Sequence, residues 1–73
     1  FKYSKFDYTS IIDSDFSENQ FINSHIKNST FSNVTFKHSK WQNVTIENST
    51  CKNCNFDAIS TSNIKFINSR GFF

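Results

Sequence analysis

The chain contains no proline, no methionine and one glycine, Gly71. Globular proteins usually build turns from Gly and Pro, so the turns of this chain must come from other residues. Its two cysteines are too few for a disulfide-dense small scaffold. No apolar run approaches the roughly 18 residues that cross a bilayer. No basic-then-apolar signal segment opens the chain, and a start at Phe1 instead of Met reads as a mature or excised piece of something longer. Strong charge of one sign is also missing. The formal net charge is +2 over 73 residues, which gives no reason to expect nucleic acid as a partner. The charges are unevenly spread: Lys2 and Lys5 accompany Asp7, Asp13, Asp15 and Glu18 in residues 1–20, whereas basic residues outnumber Glu47 and Asp57 in the remainder. A solvated surface accounts for this pattern.

What the chain does have is ten Phe, embedded in Asn and Ser. A chain this short buries little surface, so repetition is the natural source of its stability. Every fifth residue from Phe1 is apolar with few exceptions: Phe6, Ile11, Phe16, Phe21, Ile26, Phe31, Phe36, Trp41, Ile46, Cys51, Phe56 and Phe66. Only Thr61 and Gly71 depart from this. A period of five suits neither an α-helix nor a strand of period two. Two residues before each centre the chain is mostly small, as at Ser24, Ser29, Ser39 and Ser49, so small and large inward side chains can alternate in a narrow core. Two residues after the centre stand Asn23, Asn28, Asn33, Asn43, Asn48, Asn53, Asn63 and Asn68. Asn is the usual substitute for Gly where the backbone turns left-handed, so these positions read as corners.

These three positions resemble the pentapeptide-repeat family along essentially the whole chain, with aromatic centres in place of leucine. The resemblance implies an all-β fold, a right-handed quadrilateral β-helix with about twenty residues per coil, and a single domain spanning 1–73 in about three and a half coils. Residues twenty apart should then stack: Phe1, Phe21, Trp41 and Thr61; Phe6, Ile26, Ile46 and Phe66; Ile11, Phe31, Cys51 and Gly71; Phe16, Phe36 and Phe56. The small Thr61 should leave a void that the large Ile59 beside it refills. Asp7, Lys27 and Glu47 should align on one outer face, with Lys37 over Asp57.

Residues 54–69, CNFDAISTSNIKFINS, are similar to the luminal pentapeptide-repeat domain of the synaptic vesicle glycoprotein 2 family. That similarity implies a luminal loop of a multi-pass, transporter-like membrane glycoprotein. Members of that family act as entry receptors for a botulinum neurotoxin, which pairs a strand with an open edge of the solenoid. Here the edge would be Lys65, Phe66, Ile67, Asn68, Ser69, Arg70, Phe72 and Phe73. The register breaks at Gly71, Phe72 and Phe73, and no complete last coil follows. The implied partner is a protein, such as a neurotoxin receptor-binding domain. Contact with a membrane would come only through the parent chain, and the module would be a monomer or associate end to end. The implied location is the vesicle lumen or the extracellular side, with the cytoplasm as the alternative.

Other chemistry finds less support. Cys51-x-x-Cys54 reads first as two buried thiols, second as a disulfide across a corner, and last as part of a zinc site, since His25 and His38 should face outward. Sequons occur at Asn28, Asn33, Asn43 and Asn48. The repeat demands the same residues, so glycan there has meaning only in a secreted context, and Asn28 stacked on Asn48 leaves room for one glycan of the two. No cofactor is implied. Asp13 and Asp15 point differently, and no acid, base and nucleophile converge, so the expectation is a non-catalytic binding module. The alternative is a bacterial-type repeat protein acting as a DNA mimic on a topoisomerase, which the net charge and short length disfavour. A lattice-matching surface would need a longer Thr ladder than Thr30 over Thr50.

Overall fold

Corners every five residues leave room only for short strands. The computed structural model describes all 73 residues. Fourteen non-glycine residues, two after each centre from Tyr3 to Asn68, have φ between 48° and 60°. Eight are the Asn predicted from sequence. The others are Tyr3, Tyr8, Asp13, Glu18, His38 and Ala58. Between the corners lie β1 (Lys5–Asp7), β2 (Ser10–Ile12), β3 (Gln20–Ile22), β4 (His25–Lys27), β5 (Thr30–Ser32), β6 (Lys40–Glu47), β7 (Thr50–Lys52) and β8 (Ser60–Ile67). The two longer strands, β6 and β8, run through a corner at Asn43 and Asn63.

Every strand pairing is parallel and offset by twenty residues: Phe6↔Ile26, Ile26↔Ile46, Ile46↔Phe66, Phe21↔Trp41, Ile11↔Phe31 and Phe31↔Cys51. The chain is a quadrilateral β-helix. Side A holds β3 and the first halves of β6 and β8. Side B holds β1, β4 and the second halves of β6 and β8. Side C holds β2, β5 and β7. Side D has only the bridges Asp15↔Thr35 and Thr35↔Asn55. It stays short because its residues turn locally. Asp15 Oδ1 accepts the Ser17 amide and Asn55 Oδ1 the Asp57 amide, both at 2.8 Å, and the Ser39 amide closes on the Phe36 carbonyl at 3.1 Å. With φ positive at His38, this is the type II turn pattern. The shortest dimension of the molecule, 17 Å, fits three and a half coils at about 4.8 Å each.

The core lies on the axis. Phe21, Ile26, Phe31, Phe36, Trp41 and Ile46 are fully buried. Phe21 stacks on Trp41 at 4.3 Å between ring centroids and Phe36 on Phe56 at 5.2 Å. Not every expected centre is enclosed. Phe6, Phe16 and Phe56 are half-buried and Phe66 is 44% exposed, because a ring in a terminal coil has a neighbour on one side only.

The small positions do more than save volume. Ser29 Oγ accepts the Thr9 amide, Ser49 Oγ the Ser29 amide and Ser69 Oγ the Ser49 amide, at 3.1–3.3 Å. Each hydroxyl donates in turn to the carbonyl two residues earlier, Lys27, Glu47 and Ile67 respectively. The amides that follow each corner, those of Thr9, Ser29 and Ser49, are thereby satisfied inside the wall, where an orphaned donor would be costly.

Three further expectations need adjustment. Cys51 and Cys54 are disulfide-bonded, not free thiols. The left-handed turn at Asn53 brings their Cα atoms to 6.0 Å, a separation that suits a bridge. The place beneath Trp41 is taken by Phe73, with centroids 5.3 Å apart, while Ile59 only packs at the edge of the core. Finally, Asp7, Lys27 and Glu47 do align in the ladder, but Glu47 lies closest to His25, Oε1 to Nε2 at 3.6 Å.

Candidate functional site

The C-terminal end contains every residue of the predicted edge. β8 pairs with β6 alone, so its outer edge has no strand partner. The orientation of its free groups follows from the coil above. The amide of Cys51, a centre, reaches down to the Arg70 carbonyl at 2.9 Å, and that of Asn48, a corner, to the Ile67 carbonyl at 2.8 Å. In the last coil the equivalent amides, those of Phe66 and Asn68, point past the end of the solenoid. Thr50 and Arg70 bond to the coil above in the opposite sense: their amides donate to the Ser29 and Ser49 carbonyls. The Ser69 carbonyl is equivalent to these acceptors and is likewise directed outward. A donor and acceptor row of this kind is what an added strand uses.

The side chains around this row are mixed. Lys65, Asn68 and Arg70 are exposed, whereas Ile67 and Ser69 are half-buried. Lys65 and Arg70 make the rim basic. Gly71 ends the regular winding. It occupies a centre position with φ +81°, and a Cβ there would lie 1.8 Å from the Cys51 carbonyl oxygen, so only glycine fits. The chain then crosses the end of the solenoid. Phe72 lies 6.1 Å from both Phe31 and Phe56, and Phe73 packs edge-on against Phe56 and Phe66 at 5.1 and 5.5 Å. The two undersized centres of the last coil, Gly71 and Thr61, therefore have their missing volume returned by Phe72 and Phe73. The apolar axis is plugged, while the edge of β8 stays free.

Neither a known protein family nor a curated protein matches the chain. The functional reading therefore rests on this geometry and on the residues themselves.

The remaining predicted positions are dispersed. Asn33 Nδ2 donates to Asp13 Oδ1 at 3.0 Å, and Asn43 Nδ2 to Asn23 Oδ1 at 2.9 Å, with Asn63 continuing the second ladder. Asn28 is half-buried and Asn48 exposed. His25 and His38 lie on different sides, and no three His, Cys, Asp or Glu side chains gather as metal ligands. The Asp15 carboxyl is held below the usual range by the hydrogen bonds from the Ser17 hydroxyl and then the Ser17 amide. The aromatic plug escaped the sequence reading. Its only signal was the break in period at Gly71, followed by two Phe.

Proposed function

We propose that this chain is a non-catalytic interaction module of the pentapeptide-repeat type, the luminal or extracellular part of a membrane protein like those of the synaptic vesicle glycoprotein 2 family. It takes a protein partner by strand addition along β8. The carrying observation is the unpaired outer edge of β8, with the Phe66 and Asn68 amides directed away from the solenoid. The Cys51–Cys54 disulfide supports an oxidising compartment. The Phe72–Phe73 plug supports a specific edge contact over general stickiness, because it covers the apolar axis and leaves backbone groups and the basic Lys65 and Arg70 at the rim.

The partner chemistry this rim suits is an extended strand with acidic neighbours, and a botulinum neurotoxin receptor-binding domain is the first candidate to try. Amide hydrogen exchange of the chain, alone and with that domain, tests the reading. Strand addition should slow exchange selectively at Phe66 and Asn68, and Lys65→Glu with Arg70→Glu should weaken binding roughly tenfold or more. Binding that protects another side of the solenoid, or no binding, counts against it.

A further inference from the structure

A groove runs down the wall of the solenoid beside a line of corners, because a corner residue and the residue two places later are both outward positions. The depth of such a groove depends on how tall these two rows are. Beside Tyr8, Asn28 and Asn48 the opposite row is Ser10, Thr30 and Thr50, which makes a low wall. Between sides A and B both rows are tall. Tyr3, Asn23 and Asn43 form one wall, and Lys5, His25 and Thr45 the other, around a cleft of about 490 Å³. That volume falls within the roughly 300–1,000 Å³ typical of ligand clefts. The mouth opens sideways through the wall, so the cleft does not depend on what covers either end of the solenoid.

Its polar groups are donors that the repeat leaves over. Along this corner Asn63 Nδ2 donates to Asn43 Oδ1, and Asn43 Nδ2 donates to Asn23 Oδ1 at 2.9 Å. The ladder runs in one direction and leaves Asn23 Nδ2 without a partner in the protein. The stack between sides C and D ends differently. There Asn33 Nδ2 donates to Asp13 Oδ1 at 3.0 Å, and a carboxylate has no donor to leave over. Above Asn23 the ladder is interrupted by Tyr3, a bulky residue at φ 53° where Asn fits better on steric grounds. Tyr3 is 78% exposed and adds a ring face and a hydroxyl. Lys5 shares its outward column with His25, Thr45 and Lys65, a column without carboxylates. The acids of side B, Asp7 and Glu47, stand in the other column with Lys27 between them. Glu47 holds His25 from that side, Oε1 to Nε2 at 3.6 Å. The cleft therefore offers an ammonium group, amide and hydroxyl donors and an aromatic face, and no negative charge lines it.

We propose that this cleft binds an acidic sugar, a pyranose ring that carries a carboxylate. The Tyr3 ring packs on the C–H face of the pyranose. Asn23 Nδ2 and the Thr45 hydroxyl pair with its ring hydroxyls, and the Lys5 ammonium holds its carboxylate through a charge-assisted hydrogen bond. The cleft lies on the wall, apart from the edge of β8, and stands or falls independently of the strand-addition reading.

Nuclear magnetic resonance titration of the chain with glucuronic acid, glucose and acetate tests it. Glucuronic acid should shift the Asn23 side-chain amide and the Tyr3 ring saturably. The dissociation constant should be on the order of 1 mM, which about a dozen non-hydrogen atoms can supply. Glucose should bind at least about tenfold more weakly, and acetate should leave the Tyr3 ring unmoved. Lys5→Gln should weaken glucuronic acid about tenfold. Tyr3→Asn should do the same while restoring the residue that the repeat favours, since it removes the ring and extends the ladder to Asn23 Nδ2. Asn23→Asp keeps an acceptor for Asn43, as Asp13 does for Asn33, so it preserves the fold. It should abolish binding by setting one carboxylate against another. Glucose or acetate binding as tightly as glucuronic acid would overturn the proposal. So would the absence of saturable shifts up to about 50 mM, shifts confined to another side, or variants that bind like the parent chain.

Discussion

The serines beside the centres look like space-savers, but each hydroxyl carries a structural hydrogen bond. Ser49 accepts the Ser29 amide and donates to the Glu47 carbonyl, in a wall where Ser29 and Ser49 are buried. Ser49→Ala keeps the volume nearly unchanged and orphans the Ser29 amide. It should cost about 1–3 kcal/mol in a denaturant melt. The corners give the opposite case. Ala58 is exposed and sits at φ 56°, so Ala58→Gly should stabilise the fold by up to about 1 kcal/mol in the same assay. Asp15 adds a pH dependence. Its folded-state affinity for a proton is lowered by the Ser17 hydroxyl and amide, so its contribution is present above the ordinary carboxylate range near about 3.9. It is lost as pH falls through the lower folded value. The protection factor of the Ser17 amide, its exchange referred to the free-peptide rate at the same pH, should therefore fall in acid while those of amides on side B hold steady.

At the scale of the element, the five-residue unit was legible because two independent signals keep the same phase: an apolar centre and an Asn corner. Where both are present, as around Phe21–Asn23 or Ile46–Asn48, side, stack and burial all follow from position. Legibility fails where one position departs from the rule for reasons that lie elsewhere. Tyr3 and Tyr8 are corners by phase and not by residue type. Cys51–Cys54 satisfies the pattern as thiols just as well as when bridged, and the corner geometry at Asn53 decides between them. The plug depends on vacancies at Thr61 and Gly71, visible only when four stacks are drawn together. The disulfide closes a very short loop, so the chain-entropy argument gives it about 2 kcal/mol. Reduction should lower the unfolding free energy by that amount, read as an earlier denaturation midpoint, and leave the β-type circular dichroism intact, because the strand ladders do not depend on it.

For the whole molecule, the decisive feature is that a solenoid is stabilised coil on coil. Each coil touches only its neighbours, and the fully buried rings Phe21, Phe31, Phe36 and Trp41 all belong to coils with a neighbour on each side. The first and last coils have one neighbour each, so opening should begin at the ends and spread inward. The ends are unequal, however. The plug gives the last coil a substitute for the neighbour it lacks: Phe73 touches Trp41, Phe56 and Phe66, while Phe1 has only coil mates and Phe21. Hydrogen exchange of the chain should therefore show the slowest amides in coils two and three, the last coil intermediate, and the first coil fastest. Phe73→Ala should invert the order of the two ends. Phe73 is 41% exposed, so removing its ring sacrifices only part of the roughly 3–5 kcal/mol typical of a core Phe, and it uncovers the one tryptophan, so the emission of Trp41 should shift to the red as last-coil protection falls. Gly71→Ala should produce the same pair of changes, since the tail cannot cross the end once a methyl group meets the Cys51 carbonyl. Protection that stays uniform from end to end in both variants would mean that the coils open as a single block and that the plug contributes nothing to closing the last one.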